Sequence, residues 1–498
     1  MNKNWRQIDI RIYAVLASLL ISVFTILVPQ SPNDDAYVYV RTAEIFSLDG
    51  FSAALQHYSW AGYSILISLF GNLGFSLFTA AYVVNALFFA LLVFAFISIL
   101  KEIDASESSL MLAAVTILVY PELNEYRYFI VRDIGFWAFS IFALWQFLLY
   151  TKQATIRYGL GFCCSLLLAA MFRIEAIAYL MITPFALLLD YRFEMRERSK
   201  RFLKLYKIIG ATMIVGIILL TLLGLNAWQL FIEFLSVYKP FLQNLLNTDT
   251  AQSYELGIAL FNDHAAPYSQ EYIALFMLAG LSAILLATVV SGIGGPFLVV
   301  LIIGFLRGKL RLQRQIALPV IFYVVVNIVI LFAFIFVTRY LSSRYTILMC
   351  ILLALFIPVF FSQLLQKAAA DRTKYVKAFI VLFVTFCVID SFYSFGTSRD
   401  YIDDAIDWIV LQKESPGGLL TNNHALAYNS GKIENYDRTQ YNLTENEILN
   451  AEPGDLIAVE LRYEMEQLLA RNSVAGVIDF EIAFSDSDRQ RIAVYRRR

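Results

Sequence analysis

Little of this chain is charged. Of its 498 residues only 16% are Asp, Glu, Lys or Arg, and 59% are apolar, where soluble domains carry about 25% charge and 45–50% apolar residues. That shortage excludes a protein solvated over its whole length. Histidine is scarcer still. His57, His264 and His424 are the only three, and no pair has the spacing of metal ligands. The four cysteines, Cys163, Cys164, Cys350 and Cys387, all lie in apolar runs and two are adjacent. They read as small buried hydrophobes and exclude a disulfide or metal framework. No glycine-rich phosphate loop stands between a strand and a helix. Arg496–Arg498 is too short a basic run to mark a nucleic-acid surface, so nucleic acid is not expected as a partner. No internal repeat or low-complexity segment is visible. The first apolar run, about 11–29, lacks a small-residue cleavage site and enters Ser31-Pro32-Asn33, so it is expected to stay as an anchor.

What the chain has instead is a succession of apolar stretches near 20 residues, the length that crosses a bilayer. Lys and Arg flanking such stretches stay on the cytoplasmic side. The basic runs Tyr191–Lys207, Arg307–Arg314 and Lys367–Lys377, with weaker ones at Lys152–Arg157 and the N-terminus, therefore mark inner loops. Threading on that basis gives spans near 11–29, 76–100, 108–120, 129–150, 157–172, 174–190, 205–225, 271–306, 316–337, 344–363 and 376–394. The 271–306 stretch is too long for one straight helix and contains Ser291-Gly-Ile-Gly-Gly-Pro296, a break signal. The 59–73 run is short and expected to be re-entrant or interfacial. The expected fold is an all-α polytopic membrane protein of about 11 transmembrane helices (1–394), with outer loops 30–58 and 226–270 and a small C-terminal α/β extracytoplasmic domain (395–498). In that tail, Arg399–Gln412 and Arg462–Arg471 read as helices, and Gly418–Thr421, Asp455–Leu461, Val474–Phe480 and Ile492–Tyr495 as strands.

The few charges inside or beside the spans all thread to the outer side. Asp34–Asp35 follows the first span, where Ser31 or Asn33 could cap a helix. Neighbouring residues on a helix diverge by about 100°, so one carboxylate can enter a site while the other braces the loop. The pair reads either as a general base for an acceptor hydroxyl or amine or as two solvated acids favoured by the helix dipole. Apart from Lys239, the outer cations are arginines: Arg41, Arg127, Arg132, Arg173, Arg339 and Arg344. Arg grips phosphate bidentately where Lys is a point charge. Each could instead snorkel to headgroups or pair locally, as Arg173 with Glu175 or Arg132 with Asp133. Arg339-Tyr-Leu-Ser-Ser-Arg344-Tyr345 could turn two guanidinium groups toward one cavity. His57 is a candidate site residue of the first outer loop, and His264 of the second.

Several segments together resemble a known family. After the acidic pair come FGNLGFSLFTAAYVVNALFFALL, YRYFIVRDIGFWAFSIFALWQF, FRIEAI and SSRY at a late span, then AIDWIVLQKESPGGLLTNNHALAYNSGK in the tail. Over nearly its whole length the chain resembles the C-type membrane glycosyltransferases. It is most similar to the bacterial branch with protein O-mannosyltransferase-like enzymes and lipid A aminoarabinose transferases. The resemblance implies a polyprenyl-phosphate sugar donor, a membrane-lipid setting and transfer to a glycan, lipid or protein acceptor. It also implies a bacterial inner (plasma) membrane, with the site on the periplasmic or extracytoplasmic side. It places the base on Asp35 or Asp34, with Asp35 preferred because Asp34 is nearer the capping position, and donor phosphate on Arg344 and Arg132. Arg339, Arg127, Arg173, Glu175 and His57 complete the candidate binding set. A divalent metal could assist, but no ligand cluster supports one. The chain departs from many relatives at Arg173-Ile-Glu-Ala, where Arg-Pro-Glu-Gly is frequent, and at His57–Tyr63, where a proline-rich approach is frequent. The rival expectations are a transporter or flippase for a lipid-linked sugar, which would need midplane polar residues and often repeats, and a non-catalytic assembly or sensor protein.

Overall fold

The computed structural model describes residues 9–28, 31–222, 224–236, 272–308, 314–367, 373–393, 400–412, 417–486 and 489–498, together with residues 239 and 258. Most of the expected outer loop 226–270, including His264, lies outside the described residues.

The helices run in order α1 (Ile10–Leu27), α2 (Asp34–His57), α3 (Gly62–Gly71), α4 (Leu77–Ile103), α5 (Glu107–Leu118), α6 (Pro121–Glu125), α7 (Asp133–Gln153), α8 (Ile156–Ala170), α9 (Ala176–Ile182), α10 (Met195–Leu222) and α11 (Ala227–Ser236). They continue as α12 (Ile273–Ile293), α13 (Gly295–Leu306), α14 (Arg314–Thr338), α15 (Ser343–Ala354), α16 (Phe356–Lys367) and α17 (Thr373–Phe392). Among the described residues, eight helices are long and apolar enough to cross a membrane: α1, α4, α7, α10, α12, α14, the continuous α15–α16 pair and α17. Three of the eleven expected spans, 108–120, 157–172 and 174–190, are shorter apolar helices. Local chemistry ends each of them early. Pro121 opens a new helix after α5, and Pro184 turns the chain into a 3-10 segment, Thr183–Leu187, after α9. Between α8 and α9 the chain turns at Arg173 and Glu175, whose charges would be costly deep in lipid. The 59–73 run holds only the ten-residue α3, too short to cross.

The break expected at 291–296 is present. Gly294 separates α12 from α13 with φ 78°, a left-handed conformation that favours glycine. A Cβ there would also stand 3.2 Å from the Glu122 side chain. Tyr120 secures the break by donating its hydroxyl to the Gly292 carbonyl and stacking on Phe297 at 4.4 Å.

The C-terminal region continues with α18 (Asp400–Leu411), β1 (Leu419–Thr421), α19 (His424–Ser430), α20 (Glu445–Asn450), β2 (Leu456–Glu460), α21 (Tyr463–Leu469), α22 (Asn472–Ala475), β3 (Ile478–Asp486) and β4 (Arg489–Arg497). The sheet order is β1-β2-β4-β3, with β1 parallel to β2 and the other pairs antiparallel. The strand expected from Val474 starts four residues later, because Asn472–Ala475 first makes a helical turn. Side chains alternate across a strand, and β2 shows it. Leu456 and Ala458 join one core with Leu419, Ile492, Val494 and Tyr37, while Ile457 and Val459 join another with Met465, Leu468 and Ile478.

By internal contacts the chain forms two compact units. One comprises Met1–Ile21, Asn85–Glu125 and Arg132–Phe392, and the other Ser22–Val84, Tyr126–Val131 and Tyr393–Arg498. The acidic pair and all of α2 thus belong with the C-terminal sheet, as Tyr37 in its core requires.

Candidate active site

In the unit that holds the sheet, α2 begins at Asp34, with both acids in its first turn, where the helix dipole favours them. Asn33 occupies the capping position but makes no side-chain cap. It is taken by residue 130 instead: the Ile130 amide donates to Asn33 Oδ1 at 2.7 Å, and Asn33 Nδ2 donates to the Ile130 carbonyl at 3.2 Å. Ser31 likewise does not cap, since its hydroxyl donates to Asp403 Oδ1 at 2.6 Å. The segment leading into the acids is thereby fixed at three points. Asp34 is mostly exposed (70%), with its Oδ1 3.8 Å from His424 Nδ1. Asp35 is half-buried, so the two carboxylates have different surroundings, as their divergence on the helix requires.

His57, at the other end of α2, is part-buried, and its Nε2 meets Asp437 Oδ2 at 2.8 Å. That contact engages it within the fold. Arg127 in the same unit is buried and donates to Ser22 Oγ at 2.6 Å. Burial pushes its guanidinium down to about 9. Arg41 donates to Glu44 at 3.1 Å and lies over the Tyr436 ring.

The membrane unit holds a second cluster. Arg173 donates from Nη1 to Asp133 Oδ1 and from Nη2 to Glu175 Oε1, both at 2.6 Å, and all three side chains are at least 87% buried. Rings close over the guanidinium, with Tyr345 at 4.2 Å, Phe136 at 5.7 Å and Phe334 at 5.9 Å. Gly135, in the first turn of α7, lets α7 approach the end of α8, because a Cβ there would sit 3.0 Å from the Phe172 ring. Arg132 and Arg344 are half-buried and act electrostatically on Asp133 alongside Arg173. The expected pairing of Arg173 with Glu175 is therefore present, and Asp133 joins it from α7.

Arg339 takes a different role. Its φ of 58° ends α14 in a left-handed residue, its amide bonds the Ile335 carbonyl at 2.9 Å, and its exposed side chain lies over Phe336. Arg344 sits in the first turn of α15, beside the Tyr345 ring at 5.3 Å. Of the two arginines in the Arg339–Arg344 segment, it is Arg344 that acts on Asp133.

Sequence reasoning did not single out Asp437, Asn327 or Glu122. Asn327, 3% exposed within α14, donates to the Tyr179 hydroxyl at 2.5 Å and lines a small cleft with Arg173, Glu175 and Tyr345. Only a polar residue in an otherwise apolar run marked it. Burial, then the charges of Glu125 and Asp390, push the Glu122 carboxyl up to about 7. Among the described residues no group of three or more His, Cys, Asp and Glu side chains is placed to hold a metal ion.

No protein-family model matches the chain, and no curated protein matches it in sequence. Solved structures do match. ArnT from Cupriavidus metallidurans in the apo state superposes with a TM-score of 0.54 at 11% identity, over 97% of this chain and 97% of that one. The same protein bound to undecaprenyl phosphate gives 0.53 at 11% identity over 97% of each chain. The archaeal oligosaccharyltransferase AglB from Archaeoglobus fulgidus, in complex with an inhibitory peptide and a dolichol-phosphate, gives 0.54 at 11% identity over 98% of this chain and 75% of that one. At 11% identity these likenesses show a shared fold: the chain is built as these structures are, over nearly its whole length.

Proposed function

We propose that this chain is a glycosyltransferase that moves a hexose or pentose from a polyprenyl-phosphate donor to a glycan, lipid or protein acceptor on the outer face of the membrane. The observation that carries the reading is the arginine cluster of the membrane unit. Arg132, Arg173 and Arg344 gather with Asp133 and Glu175, three guanidinium groups against two carboxylates. Such a gathering of guanidinium groups at the end of a membrane-spanning helix suits an anionic headgroup. The lipid phosphate is assigned to Arg344 and Arg132, whose planar forks match phosphate oxygens.

The chemistry is a single displacement. The acceptor O–H or N–H gives its proton to the Asp35 carboxylate as the acceptor atom attacks the anomeric carbon. The anomeric C–O bond breaks, its electron pair leaves with the lipid phosphate, and the arginines stabilise the charge that develops there. Arg344→Lys keeps the charge and loses the fork. Removing one charge-assisted contact costs about 1.5–3 kcal/mol, so sugar transfer in isolated membranes is expected to fall roughly 10- to 100-fold. Lysine performing as well as arginine would make Arg344 a headgroup anchor.

The outer-face location follows from the charge threading. Cysteines introduced at Ser31, Ser342 and Ser430 are expected to react alike with an impermeant thiol reagent in intact cells. Protection of one of the three alone would overturn that placement.

A further inference from the structure

Two of the chain's three histidines meet an aspartate at opposite ends of α2, a segment that Gly50 breaks with φ 83°, and the polarity is reversed between the two ends. At the C-terminal end α2 supplies the histidine, His57, and the sheet domain supplies Asp437. At the N-terminal end α2 supplies the carboxylate, Asp34, and the sheet domain supplies His424. The His424 ring is stacked on Tyr37 at 6.0 Å with 23° between planes, and Tyr37 is only 1% exposed, packed with Ile402, Ile409, Leu426 and Ile492.

The loop that presents His424 is held in place before the histidine. It leaves the carboxyl end of β1, a position where open α/β sheets place functional loops. Asn422 accepts from the Glu460 amide at 2.7 Å and donates to the Glu460 and Tyr441 carbonyls at 3.2 Å. Asn423 caps α19 by accepting from the amides of Ala425 and Leu426, and it donates to Glu460 Oε2 at 3.0 Å. His424 follows directly, 16% exposed, with its Nδ1 toward Asp34. Asp34 and Tyr37 of α2 face the His424 ring, and Tyr37 in turn meets Tyr428 of α19 and is acted on by Asp403 of α18.

We infer that His424 is a positioning residue for the acidic pair: facing Asp34 across 3.8 Å, it sets the orientation of the first turn of α2 and with it the direction in which Asp35 presents its carboxylate to the acceptor. The inference rests on the glycosyltransferase reading and assigns the C-terminal domain a part in it. Asp34 is too exposed for this contact to contribute much to stability. Its effect is on orientation, because turning α2 about its axis moves both carboxylates together, and small misplacements of a reacting group slow chemistry more than binding.

The test is a set of variants assayed for sugar transfer in membranes supplied with a lipid-linked sugar extract. His424→Phe keeps the ring stacked on Tyr37 and removes the nitrogen that faces Asp34. It is expected to lower kcat about tenfold with KM for the donor unchanged. His424→Asn, which places an amide nitrogen near the position of Nδ1, is expected to recover most of that loss. Asp34→Asn combined with His424→Phe is expected to be no slower than the slower single variant, because both remove one contact. Equal loss in the Phe and Asn variants, additive losses in the double variant, or full activity of His424→Phe would each overturn the assignment. Should His424→Phe fail to accumulate, His424→Gln, whose amide lies near the position of Nε2 and away from Asp34, takes its place: it is expected to be slower than His424→Asn, and equal rates in the two would overturn the assignment. Failure of the function itself looks different: no transfer by the unaltered protein, or full transfer by Asp35→Asn.

Discussion

Asp35→Asn is expected to abolish sugar transfer, by at least the 10²- to 10⁴-fold that a general base contributes, while protein level and donor binding stay near those of the unaltered chain. The amide is isosteric with the carboxylate and cannot take a proton, so packing at the start of α2 is preserved and the chemical step is removed. Asp34→Asn is expected to be milder. Asp34 is 70% exposed and faces His424 at 3.8 Å, whereas Asp35 is half-buried one residue further on. A carboxylate that is half-buried is better placed than an exposed one to meet an acceptor held in a confined site. Donor consumption and product formation should be followed separately, since loss of base catalysis lowers both without weakening donor binding. Equal loss at the two positions would mean that they act as one charge and not as a base and a brace.

The second large effect falls on Arg173. Arg173→Met replaces the guanidinium by an apolar chain of similar length and leaves Asp133 and Glu175 buried without the cation that both now share. Breaking a buried ion pair from one side costs on the order of 3–5 kcal/mol, and here one cation serves two carboxylates. The variant is expected to accumulate poorly and to unfold at clearly lower temperature in detergent. Arg173→Lys should fall between the two, because one ammonium cannot make both 2.6 Å contacts with the geometry of the fork. An unchanged unfolding temperature in Arg173→Met would show that Arg132 and Arg344 already balance the two acids, and the scaffolding role would pass to them.

How far each feature could be read from the chain depends on the range of the interaction that makes it. Hydropathy is local, so the spans at 77–103, 133–153 and 373–392 were legible, and so was the Gly-Pro break at Gly294. The polar tail was legible for the same reason: α18 shows an apolar stripe of Ile402, Ile406 and Ile409, and β2 lies on a short apolar run. The short spans were overestimated because an apolar stretch does not reveal where proline or a buried charge ends its helix. Helix α20 carried a readable signal, the capping box of Thr444 with Glu447, which sequence reasoning passed over. The site was only half legible. Arg173 with Glu175 is two residues apart and was anticipated, whereas Arg173 with Asp133 spans 40 positions and His57 with Asp437 spans 380. One sequence contains no record of such pairs. The capping role expected of Ser31 or Asn33 failed for the same reason: distant partners, Asp403 and Ile130, compete for those side chains and win.

Sugar transfer itself tests the central claim most directly. The purified chain, reconstituted in liposomes with radiolabelled polyprenyl-phosphate sugars and an extract of envelope acceptors, should release free polyprenyl phosphate in step with labelled product, and the Asp35→Asn protein should release neither. Movement of intact lipid-linked sugar across the bilayer by both proteins, with no polyprenyl phosphate released, would contradict the account and identify a transporter on the same fold.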